Sequence, residues 1–429
     1  MNKKIFAITV AVLLLCGCSQ IENPQQVTLE TTLPTTVSEA VETEITTLLT
    51  ETSEIPETTE PLEPVDDWQY SFGKEFISEN GLDYIWQQLD EETRVNLGEA
   101  MNAIRSVGIY CPLSVGFKQE EAQQFLNLLY NCTTYYTYDS NQIKVHIDQN
   151  GVVKGLTIYY LVNYENQAEQ QKNELEAKIS EIISKMPAKN ELEKLRYLHD
   201  YIVKNCTYSE DAKSPFTAYG ALIEGKATCQ GYADAMHILL SKAGFETTFA
   251  TGEVYENNQT VKHKWNYVKL SDGKWYAIDA TWDDPQNKQE KDFIGYDYFL
   301  VSDSVIGRDH TKYESTYFTL PEANSMSLNF HSQMGWFPKN EEEAYTILKE
   351  QALSVAKNGG KYLYLRFENA HAMNKAYEYI CSGTQDTNKM VEIISQMNET
   401  ATRQYNTTQW VKSANENVVT LTITLNYLD

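Results

Sequence analysis

Between Val261 and Pro285 the sequence VKHKWNYVKLSDGKWYAIDATWDDP reads as two β-rich runs about Ser271-Asp272-Gly273, and the length of that turn decides what the surrounding chain can build. A two-residue Asp-Gly loop sets Ser271 opposite Lys274 and points His263 and Asp279 to opposite faces of the hairpin. A three-residue Ser-Asp-Gly loop, a type I turn followed by glycine in the left-handed conformation, sets Leu270 opposite Lys274 instead. His263 then lies opposite Thr281 and Asp279 opposite Trp265, which makes His263 and Asp279 diagonal neighbours on one face. Glycine is the residue expected third in such a loop, so the pairing is permitted, given a regular ladder.

A cysteine precedes this hairpin at a telling place. In GKATCQGYADAMHILLSKAGFE, residues 225–246, the positions Tyr232, Ala233, Met236, Leu239, Leu240 and Ala243 fall at helical spacing, and Gly244 is placed to end the helix. An amphipathic helix is predicted, with Cys229 at or within a residue of its N-terminus. There the unpaired backbone N–H groups and the positive end of the macrodipole favour a thiolate. Gly231 is expected to keep side-chain bulk away from an approaching substrate. A thiol, an imidazole and a carboxylate make up a nucleophile, a base and an orienter. His263 would take the thiol proton and later protonate the leaving group, Asp279 would fix the tautomer of His263, and the backbone N–H of Cys229 is a natural oxyanion donor.

The ends of the chain bear on where such a thiol would work. MNKKIFAITVAVLLLCGCSQ has two lysines, an apolar run too short to span a bilayer and a Cys-Gly-Cys, the layout of a secretory signal peptide. LCGC resembles the lipobox of bacterial lipoproteins, with Cys18 as the lipidated residue. Cys16 departs from the small or hydroxyl residue commoner at its position. Release as a soluble protein, cut elsewhere, is the alternative. From Ser19 to Asp67 the chain is rich in Thr, Glu and Pro and cannot bury enough apolar area to offset its ordering entropy. It reads as a stalk, and with no Lys or Arg between Lys4 and Lys74 it supplies roughly half of the net charge of −25. No basic patch is visible to neutralise phosphates, so a nucleic-acid partner is disfavoured. Beyond Cys18 five cysteines remain, Cys111, Cys132, Cys206, Cys229 and Cys381. Five is odd, so outside the cytoplasm at least one is free or pairs with another chain.

At 429 residues the chain has room for two or three domains. In 68–165 the spacing predicts helices in DEETRVNLGEAMNAIRSVG and KQEEAQQFLNLLYN, then strands NQIKVHID and VVKGLTIYYLVNY joined through Asn150-Gly151. Two helices follow, AEQQKNELEAKISEIISKM and NELEKLRYLHDYIVKN. Past Leu320 a helix NEEEAYTILKEQALSVAKNG, a strand KYLYLRFE, a helix near NKMVEIISQMNETATRQY and a strand VVTLTITLNYL suggest a small α/β unit without visible chemistry.

GKATCQGYADAMHILLSKAG, then HKWN, then YAIDATWDDP, in that order and spacing, closely resemble the transglutaminase-like superfamily in its bacterial branch of secreted and surface proteins. YLHDYIVKNCTYSE and YFLVSDSVIGRDH resemble the flanks of that domain, and the resemblance covers roughly residues 170 to 312. It implies an α+β fold with a papain-like core, a cysteine-bearing helix packed on an antiparallel sheet, here flanked by two smaller α/β domains. The divisions expected are 1–18 signal peptide and lipobox, 19–67 stalk, 68–165 N-terminal domain, 166–312 catalytic domain and 313–429 C-terminal domain. Carried over residue by residue, the triad falls on Cys229, His263 and Asp279. The resemblance narrows the chemistry to thiol acyl transfer at an amide through a thioester. Water as acceptor makes a peptidase or amidase; an amine makes a crosslinker. The expected partners are protein, peptide or cell-wall peptide substrates and, through Cys18, the membrane of a bacterial cell surface. The alternative is a non-enzymatic binding or adhesion module on the same scaffold.

Other residues have plainer readings. Trp265 and Trp282 are expected as cleft walls beside His263 and Asp279, and Gln230 as a neighbour of the substrate. A zinc site from Cys229, His263 and Asp279 lacks a fourth ligand, no loop has calcium-ligand spacing, and no cofactor or metal is expected. His199 beside Asp200 reads as a hydrogen-bonded packing residue, His237 as packing or solvent-facing, and Asp283 and Asp284 as a turn. His310, His331 and His371 have no partner legible in the sequence.

Overall fold

The computed structural model describes residues 77, 80–106, 108–133, 143–160, 165–187, 190–256, 259–284, 294–384 and 387–428. The expected signal peptide, Cys18 and the stalk lie outside the described residues. Among those described, no helix is long and apolar enough to cross a membrane.

The central layer is a five-stranded antiparallel sheet formed by β4 (Glu246–Glu256), β5 (Gln259–Lys269), β6 (Trp275–Ile278), β7 (Phe299–Val301) and β8 (His310–Lys312), in the order β8-β4-β5-β6-β7. Helices α3 (Glu165–Ser184), α4 (Glu191–Asn205) and α5 (Cys229–Lys242) cover one face. Their Leu175, Ile179, Leu195, Leu198, Met236 and Leu239 share a core with Val268 and Ile278 of the sheet. The opposite face is also covered: Trp265, Tyr267, Ala277 and Tyr298 pack there with Ile306 and Val418. β5 is therefore buried on both sides from His263 to Val268, where a hairpin with one wet face would alternate. Helix α5 departs from expectation in the same way. Every residue from Gln230 to Leu240 is buried, so the predicted amphipathic helix is a central one, walled by the sheet and by its neighbouring helices.

The hairpin takes the three-residue loop. Leu270 N–H donates to Lys274 C=O at 3.0 Å, Gly273 has φ +76°, and the ladder pairs Asn266 with Ile278 through Lys269 with Trp275. That register carries Asp279, one residue past the strand, to the level of Trp265.

Before this core, α1 (Glu91–Arg105), β1 (Tyr110–Lys118), α2 (Ala122–Cys132), β2 (Lys144–Ile147) and β3 (Val152–Thr157) form a sheet of order β1-β3-β2 and its helices, whose core also takes in Phe249 of β4. The β2–β3 turn at Gly151 (φ +76°) is as predicted. Strand β1 was not legible, since Pro112 and Gly116 interrupt its pattern and the ladder slips between Pro112 and Phe117. After the central core come α6 (Glu341–Asn358), β9 (Tyr362–Arg366), α7 (Ala370–Cys381), α8 (Lys389–Asn398), β10 (Tyr405–Asn415) and β11 (Thr420–Tyr427), a three-stranded antiparallel sheet of order β9-β11-β10 under helices. Asn340, Asn369 and Asn388 cap its three helices. Arg366 leaves this unit for the central one: it is 1% exposed and its Nη1 donates to the Asp297 carbonyl at 3.0 Å, just ahead of β7.

Close approach of backbones is most severe at Gly252, which pairs with both His263 and Lys312. A Cβ there would stand 1.9 Å from the Thr311 carbonyl oxygen and 3.0 Å from the Trp265 ring. Gly252→Ala is expected to force β8 off β4 at a cost of about 1–3 kcal/mol. A lowered thermal unfolding midpoint checks this, and an unchanged one contradicts the close pairing.

Candidate active site

Helix α5 begins at Cys229 after Thr228, and Thr228 makes no side-chain cap. Its hydroxyl and amide both donate to the Pro215 carbonyl, at 3.2 and 2.8 Å. The first turn of α5 thus has no capping oxygen from its N-cap residue, unlike α1 and α4, where Asp90 and Asn190 accept from Thr93 and Glu193 N–H. Gly231 has a different role from the one expected: a Cβ there would lie 2.7 Å from the Thr217 carbonyl oxygen and 2.9 Å from that of Pro215. It admits the 215–217 backbone against the helix rather than clearing space for a substrate.

Cys229 is partly exposed, with Sγ 4.0 Å from the Lys262 carbonyl and near enough to the His263 imidazole to favour its charged form. His263 Nε2 meets Asp279 Oδ2 at 2.6 Å. Asp279 Oδ1 accepts from the Thr281 and Trp282 amides at 2.9 and 3.2 Å, which fixes the plane of the carboxylate. The structure therefore brings Cys229, His263 and Asp279 into one chain of contacts. Burial works against charge on His263, but the Asp279 carboxylate, its hydrogen bond and Cys229 outweigh it and raise the imidazole to about 10. Burial would also raise Asp279, yet the two histidines beside it hold its carboxyl well below the usual range.

What locks helix to strand is polar and buried. Lys264 Nζ donates to Asp234 Oδ1 at 2.6 Å, Gln230 Nε2 donates to both Asp234 oxygens at 3.0 and 2.9 Å, and Asn266 Nδ2 donates to the Ala233 carbonyl at 3.0 Å. Gln230 is thereby committed to the helix–sheet joint, and its expected place beside a substrate is corrected: its amide points at Asp234. Trp265 is corrected too. It is fully buried and stacks behind His263 at 6.1 Å, a backing for the imidazole rather than a cleft wall. Trp282 is partly exposed, 6.1 Å from the His263 ring and 4.6 Å from that of His310.

Several partners were not legible. His310 Nε2 meets the same Asp279 Oδ2 at 3.0 Å, and its Nδ1 meets Asp309 Oδ1 at 2.6 Å. His199 packs as expected, but with Asp283 (3.1 Å) as well as Asp200 (3.2 Å), so Asp283 is more than a turn residue. Asp284 accepts from the buried Tyr232 hydroxyl. His237 is buried and bonds the Asn80 carbonyl. The only local hints were the Asp-His doublets 309–310 and, reversed, 199–200. No spacing rule joins residues 31 or 84 positions apart.

His263, Asp279 and His310 offer three ligand atoms within 4.8 Å of one another, a set that could hold a metal ion. In the structure those atoms satisfy one another by hydrogen bonds. The thiols of Cys111, Cys132 and Cys206 are pushed up to about 12 by burial, and no disulfide joins any of the described cysteines.

Residues 180–280 match the family model of the transglutaminase-like superfamily, so the chain carries a transglutaminase-like domain there. No curated protein matches the chain. Among solved structures it is similar to a TGase, at 16% identity and TM-score 0.23 over 34% of this chain and 46% of that one. It is also similar to a candidate cysteine protease from Cytophaga hutchinsonii, at 15% identity and TM-score 0.24 over 40% of this chain and 65% of that one. The chain spans less than two thirds of either, and neither likeness bears on its activity.

Two outcomes are expected. Lys264→Met leaves the Asp234 carboxylate buried without its counter-charge, at a cost of about 3–5 kcal/mol, and adding Asp234→Leu restores part of it. Denaturant midpoints of the single and double variants check this. His199, raised from 6.5 to about 9 by Asp200 and Asp283 against its burial, and His263 both bind protons more tightly when folded. Their stabilisation is complete below pH 6.5 and lost as pH rises through about 9 and about 10 respectively. Stability measured by denaturant should therefore fall across that window, and a flat profile would contradict the assignment.

Proposed function

We propose that the chain is a cysteine enzyme of the transglutaminase-like class acting on amide bonds. The observation that supports it is the continuous chain Cys229–His263–Asp279, with the thiol partly exposed at the start of a helix and the imidazole held charged by a buried carboxylate. Cys229 Sγ attacks the amide carbonyl carbon, the C–N bond breaks, and His263 delivers its proton to the departing amine. A thioester on Cys229 remains. His263, now neutral, takes a proton from water, whose oxygen attacks the thioester and releases the acid; an amine acceptor would give a crosslink instead. Charge on the carbonyl oxygen would be met by the N–H groups at the start of α5. Hydrolysis is the favoured outcome, since no feature specific to amine substrates is visible among the described residues.

The substrate class we assign is protein, peptide or cell-wall peptide. We further propose that Cys18 carries a lipid and that 19–67 acts as a tether, placing the enzyme on the outer face of a bacterial membrane. The lipobox-like LCGC and the Thr/Glu/Pro composition support this.

Alkylation of Cys229 by iodoacetamide at pH 6 is expected to run faster than that of a free thiol and to slow in His263→Ala. Asp279→Asn should lower turnover of a peptide amide by about 10³–10⁴-fold, and Cys229→Ala should abolish it. Labelling no faster than a free thiol, unaffected by His263→Ala, would sink the enzyme reading in favour of a binding module.

A further inference from the structure

Asp279 serves two imidazoles, while the reaction described above needs one. His310 is the first residue of β8, and its side chain is fully buried. The rings of Trp265, Trp282 and Tyr298 surround it, with centroids 5.1, 4.6 and 5.3 Å away. Behind it, Asp309 takes its Nδ1 at 2.6 Å and the Tyr298 hydroxyl donates to Asp309 Oδ2 at 2.6 Å. The contact with Asp279 is thus supported from the far side by a second carboxylate and a tyrosine.

The direction of the bond follows from Asp279. An ionised carboxylate can only accept, so at 3.0 Å it is Nε2–H of His310 that donates. The two backbone amides occupy Oδ1, so both histidines meet the same oxygen, Oδ2. A second N–H on that oxygen draws electron density from the atom that holds the His263 proton. The groups facing His310 are Asp279 from the loop after β6, Asp309 beside it, and His263 from β5, with Tyr298 acting through Asp309.

We propose that His310 is a positioning residue of this site: by sharing Asp279 Oδ2 with His263, it lets the carboxylate orient the imidazole while limiting how tightly that imidazole keeps its proton. Asp309 and Tyr298 hold His310 in place for this task. The inference rests on the enzyme reading, because only an imidazole that must give its proton to a leaving amine has use for such moderation. With His310 removed, the Asp279–His263 bond carries the oxygen alone, His263 binds its proton harder, and breakdown of the amide slows.

The full chain with 15N-labelled histidine tests this by magnetic resonance, with His263 identified by its loss in His263→Gln. In the wild type, His310 Nε2 should carry a hydrogen, a result that needs no variant to fold. Glutamine places its amide nitrogen near the Nε2 position and asparagine near Nδ1, so the two separate the bonds to Asp279 and Asp309. His310→Asn and His310→Leu should raise the His263 titration midpoint, on the order of tenfold in proton affinity, while His310→Gln stays within about twofold of wild type. A residue that only fills space would lower stability in all three and leave the midpoint alone. An Nε2 without hydrogen, or a midpoint unmoved or lowered in His310→Leu, overturns the proposal. If Cys229 alkylates rapidly and the midpoint does not move, His310 alone is refuted; if Cys229 is unreactive, the enzyme reading falls, and the catalytic meaning of His310 with it.

Discussion

The geometry of the candidate site depends on one buried carboxylate. Asp279 is 1% exposed, and a charge there would be costly were it not met on every side. Two backbone amides hold one oxygen and two imidazoles hold the other, so four donors replace the water that burial removed. The four donors come from three constraints: the turn after β6 supplies both amides, the β5–β6 register supplies His263, and the docking of β8 on β4 supplies His310. Loss of any one would leave the others facing a less well solvated charge.

The second dependence is the joint between α5 and β5. A thiol on a helix and an imidazole on a strand keep their separation only if helix and strand cannot slide. Apolar packing alone is non-directional and permits small translations. The Lys264–Asp234–Gln230 cluster and the Asn266–Ala233 bond are directional, and they sit within a few residues of Cys229 and His263. Alternate residues of β5 serve the two tasks: Lys264 and Asn266 grip the helix, while His263 and Trp265 form the site on the other face.

Much of this was legible in the sequence, and the reason is locality. The parity of the Ser271–Gly273 turn, the helix opening at Cys229 and the β2–β3 hairpin depend on neighbours within a few positions, where glycine conformation and side-chain period speak directly. His310, Asp283 and Asp234 were opaque because their partners lie 30 or more residues away and the sheet order β8-β4 brings the last strand back to the first. Trp265 and Gln230 were misjudged for a related cause. Both adjoin the triad in sequence, but a sheet covered on both faces leaves no open side for Trp265, and a fully buried helix turns Gln230 inward.

The odd number of cysteines resolves without any pairing among the described residues. Four of the five thiols are buried, and only Cys229 reaches the surface. Among the described residues, a reagent that attacks thiols meets one accessible cysteine. It can be capped once, or joined once to another copy, but sulfur chemistry cannot link it into a network. Any such event also consumes the residue on which catalysis would depend, so oxidation of that thiol would be recorded as loss of activity rather than loss of shape.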